Sequence, residues 1–210
     1  MKTLRTAMLA VAVVAFLVMP AFAAGGEPVH ALVAEINRAR TDPAGYARHL
    51  RQFRTKFRGT LFRLPESDSY MRTQEGVRAV DEAIRALLRQ RPLPPLAWSD
   101  GLAVAAQELV DEQGETGRTG HEIGSRFELR RRVERHGAWS GEIGEAIYYG
   151  PREPRLVVMQ LLIDDGVRGR GHRKALLNPA FRQAGAACGP HPRYGDSCTV
   201  DFAAMFRDTD

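Results

Sequence analysis

The chain has few cysteines, few lysines and no long apolar run beyond its N-terminal segment. Cys188 and Cys198 are the only cysteines, which excludes a disulfide-rich scaffold, and a zinc site would need more ligands than two thiolates. There is also no His-Glu-x-x-His motif, no serine in a nucleophile elbow and no clear cysteine–histidine pairing. The sequence therefore offers no motif for a zinc metalloprotease, a serine hydrolase or a cysteine protease.

The N-terminal segment has the pattern of an export signal. Lys2 and Arg5 give it a positive start, residues 9–19 form an apolar core, and Ala21-Phe22-Ala23 is a small-x-small cleavage site. The apolar core is shorter than the roughly 20 residues that span a bilayer, although a retained anchor is the alternative. We predict cleavage after Ala23 and a secreted or periplasmic monomer in which residues 24–210 form one domain.

Arginine carries almost all of the positive charge, because Lys2, Lys56 and Lys174 are the only lysines. The formal net charge of +5 falls to +3 when Lys2 and Arg5 leave with the signal. Five arginines cluster within residues 126–135, and such a cluster could contact nucleic-acid phosphates. We interpret it instead as the solvated face of a helix and expect no nucleic-acid partner. Its members are Arg126, Arg130, Arg131, Arg132 and Arg135.

Apolar spacing predicts an α+β fold in which helices cover a small sheet. Helices are expected at residues 29–52 with a break at Thr41-Asp42-Pro43, from 73 onward, at 101–113 after a Ser99-Asp100 cap, at 127–136 and at 155–164. Strands are expected at 139–149, 181–188 and 198–206, the last two as an antiparallel hairpin. Residues 51–70 lack a clean period and are expected to be a loop.

The two cysteines flank the turn-rich residues 189–196 and lie at the edges of strand-like runs. We predict that Cys188 and Cys198 form a disulfide that closes the hairpin, as is usual in exported proteins.

Four motifs in order point to one family. They are Glu-Ile-Asn-Arg-Ala-Arg at 35–40, Gly-His at 120–121, Gly-Glu-Ala-Ile-Tyr-Tyr-Gly at 144–150 and Gly-His-Arg-Lys-Ala-Leu-Leu-Asn-Pro at 171–179. Together they resemble the CAP superfamily of cysteine-rich secretory proteins, antigen 5, plant pathogenesis-related 1 proteins and bacterial SCP-like extracellular proteins. The resemblance covers about residues 29–206. It implies an α-β-α sandwich with a small, mostly antiparallel central sheet, and it marks residues 51–95 as a subfamily insertion.

The resemblance also implies a cleft of two histidines and two acids. Carried over to matching positions, these are His121, Glu145, Asp164 and His172. The sequence departs from the family at one of these four positions and at two neighbouring ones. Asp164 stands where Glu is usual, Leu161 where Trp is usual, and Ala146 where an Asn commonly follows the glutamate. Asp165 and Glu142 are therefore rivals for the second acid.

Two imidazoles and two carboxylates suit zinc or another divalent ion, with His121 and His172 as the metal ligands. We expect a protein that binds a metal or small ligand and is not an enzyme. The alternatives are a metal-assisted hydrolase of peptide or envelope polymer, and a sterol- or lipid-binding protein with Tyr148, Tyr149, Phe181 and Phe127 in its groove. The four polar residues could also form only a structural hydrogen-bond cluster. Arg168 and Arg170 could hold an anionic ligand or cell-wall polymer, whereas His30, His49, His136 and His191 are expected to be structural.

Overall fold

A computed structural model of the protein describes residues 27–63, 69–121, 124 and 128–209. The predicted signal segment, Arg126 and Phe127 lie outside these residues. The helices are α1 Glu27–Thr41, α2 Pro43–Arg54, α3 Val77–Arg89, α4 Asp100–Thr116, α5 Leu129–His136, α6 Pro154–Ile163 and α7 Gly171–Leu176. The strands are β1 Phe57–Arg58, β2 Leu61–Arg63, β3 Tyr70–Arg72, β4 Ala97–Trp98, β5 Gly137–Tyr149, β6 Gln183–His191 and β7 Gly195–Asp208.

The main sheet has the strand order β4-β6-β7-β5, so that β5 lies at one edge. Only the short β4 pairs in parallel, and the other pairings are antiparallel. Alternate residues of β6 face opposite helical layers: Ala184 and Ala186 join the core with α1 and α6, whereas Ala187 packs against α4. The protein is therefore an α+β, α-β-α sandwich, as predicted.

A glycine allows α4 to approach the sheet closely. A Cβ atom on Gly185 would lie 2.1 Å from the backbone nitrogen of Ala103, which no side chain could tolerate. This close contact sets α4 directly over β6, and the C-terminal end of α4 then leads into the loop that contains His121.

The helix boundaries follow the capping residues of the sequence. Asp42 accepts a hydrogen bond from the Gly45 N–H at 2.8 Å, and Pro43 occupies the first turn of α2. Ser99 caps α4 by accepting from the Leu102 N–H at 3.2 Å. The predicted break between α1 and α2 and the predicted start of α4 are both confirmed.

The prediction of a loop over residues 51–70 was wrong. Helix α2 continues to Arg54, and β1, β2 and β3 form a separate antiparallel sheet. Phe62 packs against Phe53 and Phe57 with ring centroids 4.6 and 5.4 Å apart, which fastens this small sheet to α2. Strands of two or three residues are too short to show alternation in sequence.

Helix α3, in the segment predicted as an insertion, shares the core of the sandwich. Its buried residues Ala79, Val80, Ala83, Ile84 and Leu87 belong to the same apolar cluster as those of α1, α2 and α6. The family origin of residues 51–95 stays a prediction.

One disulfide and one set of buried hydrogen bonds connect the elements of the fold further. Cys188 and Cys198 face each other on β6 and β7 and are joined by the predicted disulfide, with Cα atoms 4.1 Å apart. The wholly buried Arg40 donates from α1 to the carbonyl oxygens of Leu176, Asn178 and Phe181 at 2.8 to 3.2 Å. These bonds fix the chain that follows α7. Within the described ranges, no helix is long and apolar enough to cross a membrane.

Candidate functional site

His121 lies at the β5 edge of the sheet. Helix α4 is followed by the capping residue Gly117, whose left-handed conformation turns the chain into the loop that leads to His121. The His121 Nδ1 atom is 2.6 Å from Oε1 of Glu145, which projects from β5. The Glu145 side chain is 2% exposed and that of His121 is 50% exposed, so a buried carboxylate holds an imidazole that reaches solvent.

His172 lies at the start of α7 and is held by Asp164. Asp164 ends α6 in a left-handed conformation (φ 57°, ψ 45°), which aspartate tolerates better than most residues. Its carboxylate accepts from His172 Nδ1 at 2.7 Å, from the His172 N–H at 2.9 Å and from the Arg173 N–H at 3.3 Å. The shorter aspartate arm therefore reaches the histidine.

The two imidazoles face each other across the cleft. Their ring centroids are 5.9 Å apart and their planes are inclined by 38°. Because an ionised carboxylate only accepts hydrogen bonds, each neutral ring carries its proton on Nδ1 and its lone pair on Nε2. This tautomer is the one that binds a metal through Nε2.

The two rival acids make contacts elsewhere. Asp165 accepts from the backbone N–H groups of Gln74 and Glu75, at 2.5 and 2.8 Å. Glu142 accepts from Asn178 Nδ2 at 3.0 Å. The structure thus brings His121, Glu145, Asp164 and His172 together and places Asp165 and Glu142 in other contacts.

Arg132 is a site residue that the sequence reasoning assigned wrongly to a solvated helix face. Its side chain is wholly buried, and Nη2 contacts Oε2 of Glu145 and lies 3.4 Å from both carboxylate oxygens of Asp201. Its Nε donates to the Ala105 carbonyl at 3.0 Å. The sequence does contain a signal for the burial of Arg132: its helical spacing places it on the same face of α5 as the apolar Leu129 and Val133.

The other described arginines of this cluster do lie at the surface and pair with acids. Arg130 contacts Glu134 and Arg135 contacts Glu108. Ala146, where the family resemblance implies Asn, is buried in the core. Arg132 therefore orients Glu145 in this chain.

Asp201 adds a buried ionisable group behind the cleft. It lies opposite Glu145 in the pairing of β5 with β7. Burial raises the pKa of Asp201 well above its usual value, and the negative charge of Glu145 raises it further, whereas Arg132 lowers it.

Ion pairs fasten Arg170 and Arg173, on either side of His172, to α3 and to the residues just before it. Arg170 donates to both carboxylate oxygens of Glu75, at 2.6 and 2.9 Å, and to Glu82 at 2.5 Å, while Arg173 donates to Glu82 at 2.9 Å. The hydrogen bonds from Arg170 hold the pKa of Glu75 and of Glu82 at about 2. The guanidinium of Arg170 is thus engaged by carboxylates, whereas Arg168 is exposed, and an anionic ligand at these two arginines stays a prediction.

The remaining histidines have structural contacts, as expected. His30 packs on Trp98, His49 on Tyr46, His136 contacts Glu108, and His191 contacts the Arg118 carbonyl.

Two of the aromatic residues suggested for a lipid groove, Tyr148 and Phe181, are in the core. Phe181 stacks on Phe202 with centroids 5.5 Å apart, and Tyr148 is buried. A cavity of about 210 Å³ next to His172 is lined by β3, the end of β5 and the C-terminal part of α6.

A metal ion in this cleft would have the two imidazoles as its protein ligands. In the described part of the chain, no group of three or more His, Cys, Asp or Glu side chains is arranged to hold an ion. With Zn–N bonds of about 2.0–2.1 Å, two imidazoles that share one zinc ion through Nε2 have ring centres roughly 5 to 6.5 Å apart. The observed separation of 5.9 Å lies in that range.

Three solved structures are similar to this chain. An outer surface protein from Borrelia burgdorferi is 22% identical, with a TM-score of 0.44 over 53% of this chain and 78% of that one. An extracellular protein containing an SCP domain from Bacillus anthracis is 20% identical, with a TM-score of 0.42 over 61% and 38% of the two chains. A cysteine-rich secretory protein from Staphylococcus aureus is 18% identical, with a TM-score of 0.42 over 69% and 46%. The matched region thus spans less than half of the last two proteins.

A search of curated protein sequences gives no significant match. The profile of the cysteine-rich secretory protein family, CAP, matches residues 33–202, which include all four residues of the cleft. The chain therefore belongs to the CAP family.

Proposed function

We propose that this CAP protein binds a divalent metal ion, with zinc as the best candidate, through Nε2 of His121 and Nε2 of His172. The observation that supports the proposal best is the facing pair of imidazoles, each with Nδ1 bound to a buried carboxylate, at a centroid separation of 5.9 Å. Such carboxylate–histidine pairs fix the tautomer and raise the basicity of the ligating nitrogen.

Each residue of the cleft has a distinct part in this proposal. His121 and His172 supply the ligating nitrogens, and Glu145 and Asp164 orient the two rings. Arg132 holds the second oxygen of Glu145, so that Oε1 stays directed at His121. A bound ion with two protein ligands would keep positions for water or a small ligand, and it would supply Lewis acidity there.

The proposed place of action is outside the cytoplasm. Residues 1–23 have the features of an export signal, and the disulfide suits an oxidising compartment.

Calorimetric titration of the metal-stripped protein with Zn²⁺ at neutral pH tests the proposal. We expect one-to-one binding that is lost in His121→Ala/His172→Ala. The matched control is His30→Ala/His49→Ala, which removes the same number of imidazoles away from the cleft. Equal zinc affinity of the cleft variant and the control variant would rule out the cleft as the metal site. If the wild type and the control bind zinc and the cleft variant does not, a screen for hydrolysis of peptides and envelope polymers is justified.

A further inference from the structure

A closed ring of hydrogen bonds surrounds the residue before His121. The Gly120 N–H donates to the Tyr149 hydroxyl oxygen at 2.8 Å, and that hydroxyl donates to Gln113 Oε1 at 3.0 Å. The amide of Gln113 then donates from Nε2 to the Gly120 carbonyl at 2.9 Å. Both polar groups of the Gly120 backbone are thus held by two side chains, which we call the Gln113–Tyr149 clamp.

Both members of the clamp lie in regular secondary structure. Gln113 is wholly buried near the end of α4, and Tyr149 ends β5. The Tyr149 ring packs against His191 and Tyr194 at the end of the β6–β7 hairpin, with centroids 5.4 and 5.1 Å apart. The clamp therefore joins the loop to a helix, an edge strand and the disulfide-closed hairpin.

The loop needs such a support because its own backbone is permissive. Gly117 and Gly120 have φ angles of +69° and +100°. Glycine adopts such angles without steric strain, but it loses more conformational entropy than other residues when its backbone is fixed. The contact between His121 and Glu145 orients the ring but does not by itself fix the backbone that presents it. A displaced backbone would change the separation of the two imidazoles.

We propose that Gln113 and Tyr149 are positioning residues that place the His121 imidazole opposite His172 for metal binding. This inference rests on the proposed function for its effect on affinity. The placement of the ring itself is testable without metal.

Tyr149→Phe removes the central hydroxyl and keeps the ring that packs on His191 and Tyr194. Gln113→Met is the second variant, and it removes the two hydrogen bonds that the Gln113 amide makes with Tyr149 and with the Gly120 carbonyl. Tyr148→Phe is the matched control, because the Tyr148 hydroxyl is on the same strand, is buried, and has no hydrogen-bond partner among the described residues. Thermal unfolding establishes that each variant is folded.

Two metal-free measurements report on position. In Tyr149→Phe we expect faster hydrogen exchange at the Gly120 amide and changed NMR signals of the His121 ring, with His172 signals and the control variant unchanged. In zinc titrations we expect affinity to fall about tenfold in Tyr149→Phe, as for loss of other groups that orient metal ligands.

The outcomes separate the two proposals. If the wild type binds no zinc but Tyr149→Phe alters the His121 ring, the proposed function fails and the positioning role stands. If the His121 ring and the Gly120 amide are the same in both clamp variants and the wild type, the positioning role is refuted, whether or not zinc binds.

Discussion

Glu145 and Asp201 lie directly opposite each other on β5 and β7, and the buried guanidinium of Arg132 contacts both carboxylates. Burial and the charge of Glu145 both favour the protonated form of Asp201, because two ionised carboxylates at opposing positions of a sheet would repel each other. The positive charge of Arg132, supplied from α5, acts in the opposite direction. The three side chains form a polar unit behind His121, so the orientation of Glu145 depends on a helix that does not reach the cleft itself.

Arg132→Met should destabilise the protein by about 3 to 5 kcal/mol, because it leaves the buried carboxyl groups of Glu145 and Asp201 without their cation. Urea denaturation monitored by circular dichroism would measure the change. Arg131→Met, on the exposed side of the same helix, should change stability by less than about 0.5 kcal/mol. Adding Asp201→Asn to Arg132→Met should restore part of the loss, and equal stability of the single and double variants would contradict this account.

The ion pairs of Arg170 predict a specific response to acid. The pKa of Glu75 and of Glu82 is lowered from 4.5 to about 2 in the folded protein. A lowered folded-state pKa stabilises the protein above the unfolded-state value, and this stability is lost as pH falls from about 4.5 toward 2. Arg170→Gln should therefore flatten the fall in unfolding free energy over this window. Arg168→Gln, two residues away and exposed, is the control, and parallel pH curves for the two variants would refute the assignment.

Asp164 and Asp165 can be separated by isosteric substitution. Asp164→Asn removes the negative charge beside Nδ1 of His172 and should lower zinc affinity about 10- to 100-fold. Asp165→Asn removes the same charge from a side chain that contacts Gln74 and Glu75, and it should leave the affinity within about a factor of two. Competition with a chromogenic zinc chelator would measure both. A larger effect from Asp165 would reverse the assignment of the second acid.

Replacement of both cysteines tests the contribution of the hairpin disulfide. Cys188→Ala/Cys198→Ala should lose about 2 to 3 kcal/mol, the chain-entropy value for a loop of this size. Thermal unfolding of the wild type with reductant should approach that of the double variant without it. The double variant itself should not respond to reductant, so a response there would indicate a reductant effect unrelated to this bond.

Much of the secondary structure could be predicted because its boundaries depend on residues close together in the sequence. Asp42 and Pro43 mark the start of α2, and Ser99 marks the start of α4. The cysteines on either side of a turn-rich segment identified the β6–β7 hairpin. His172 and Asp164 are eight residues apart, and a short loop is enough to bring them into contact.

The supporting residues of the cleft were missed because their role depends on tertiary packing. Gln113 follows Leu102, Leu109 and Val110 on the buried face of α4, but a polar residue on such a face does not reveal its partner. In the sequence, Arg132 cannot be distinguished from the exposed arginines beside it. Its burial becomes evident only when the side of α5 that packs on the sheet is known. Local sequence identifies the groups that could bind a ligand, whereas long-range contacts decide how they are held.

The sequence separation of these contacts also sets an order in which the cleft can form. The Asp164–His172 bond closes a loop of eight residues, whereas the contact of Arg132 with Asp201 joins residues 69 positions apart. Loop-closure entropy makes contacts between distant residues slower to form. The Gly120 amide is bonded to Tyr149, 29 residues away on β5, and β5 is placed in the sheet only by its pairing with β7. We therefore expect pulsed hydrogen exchange during refolding to protect the His172 amide before the Gly120 amide. One half of the cleft would then be assembled locally, while the other would wait until the last strand is in place.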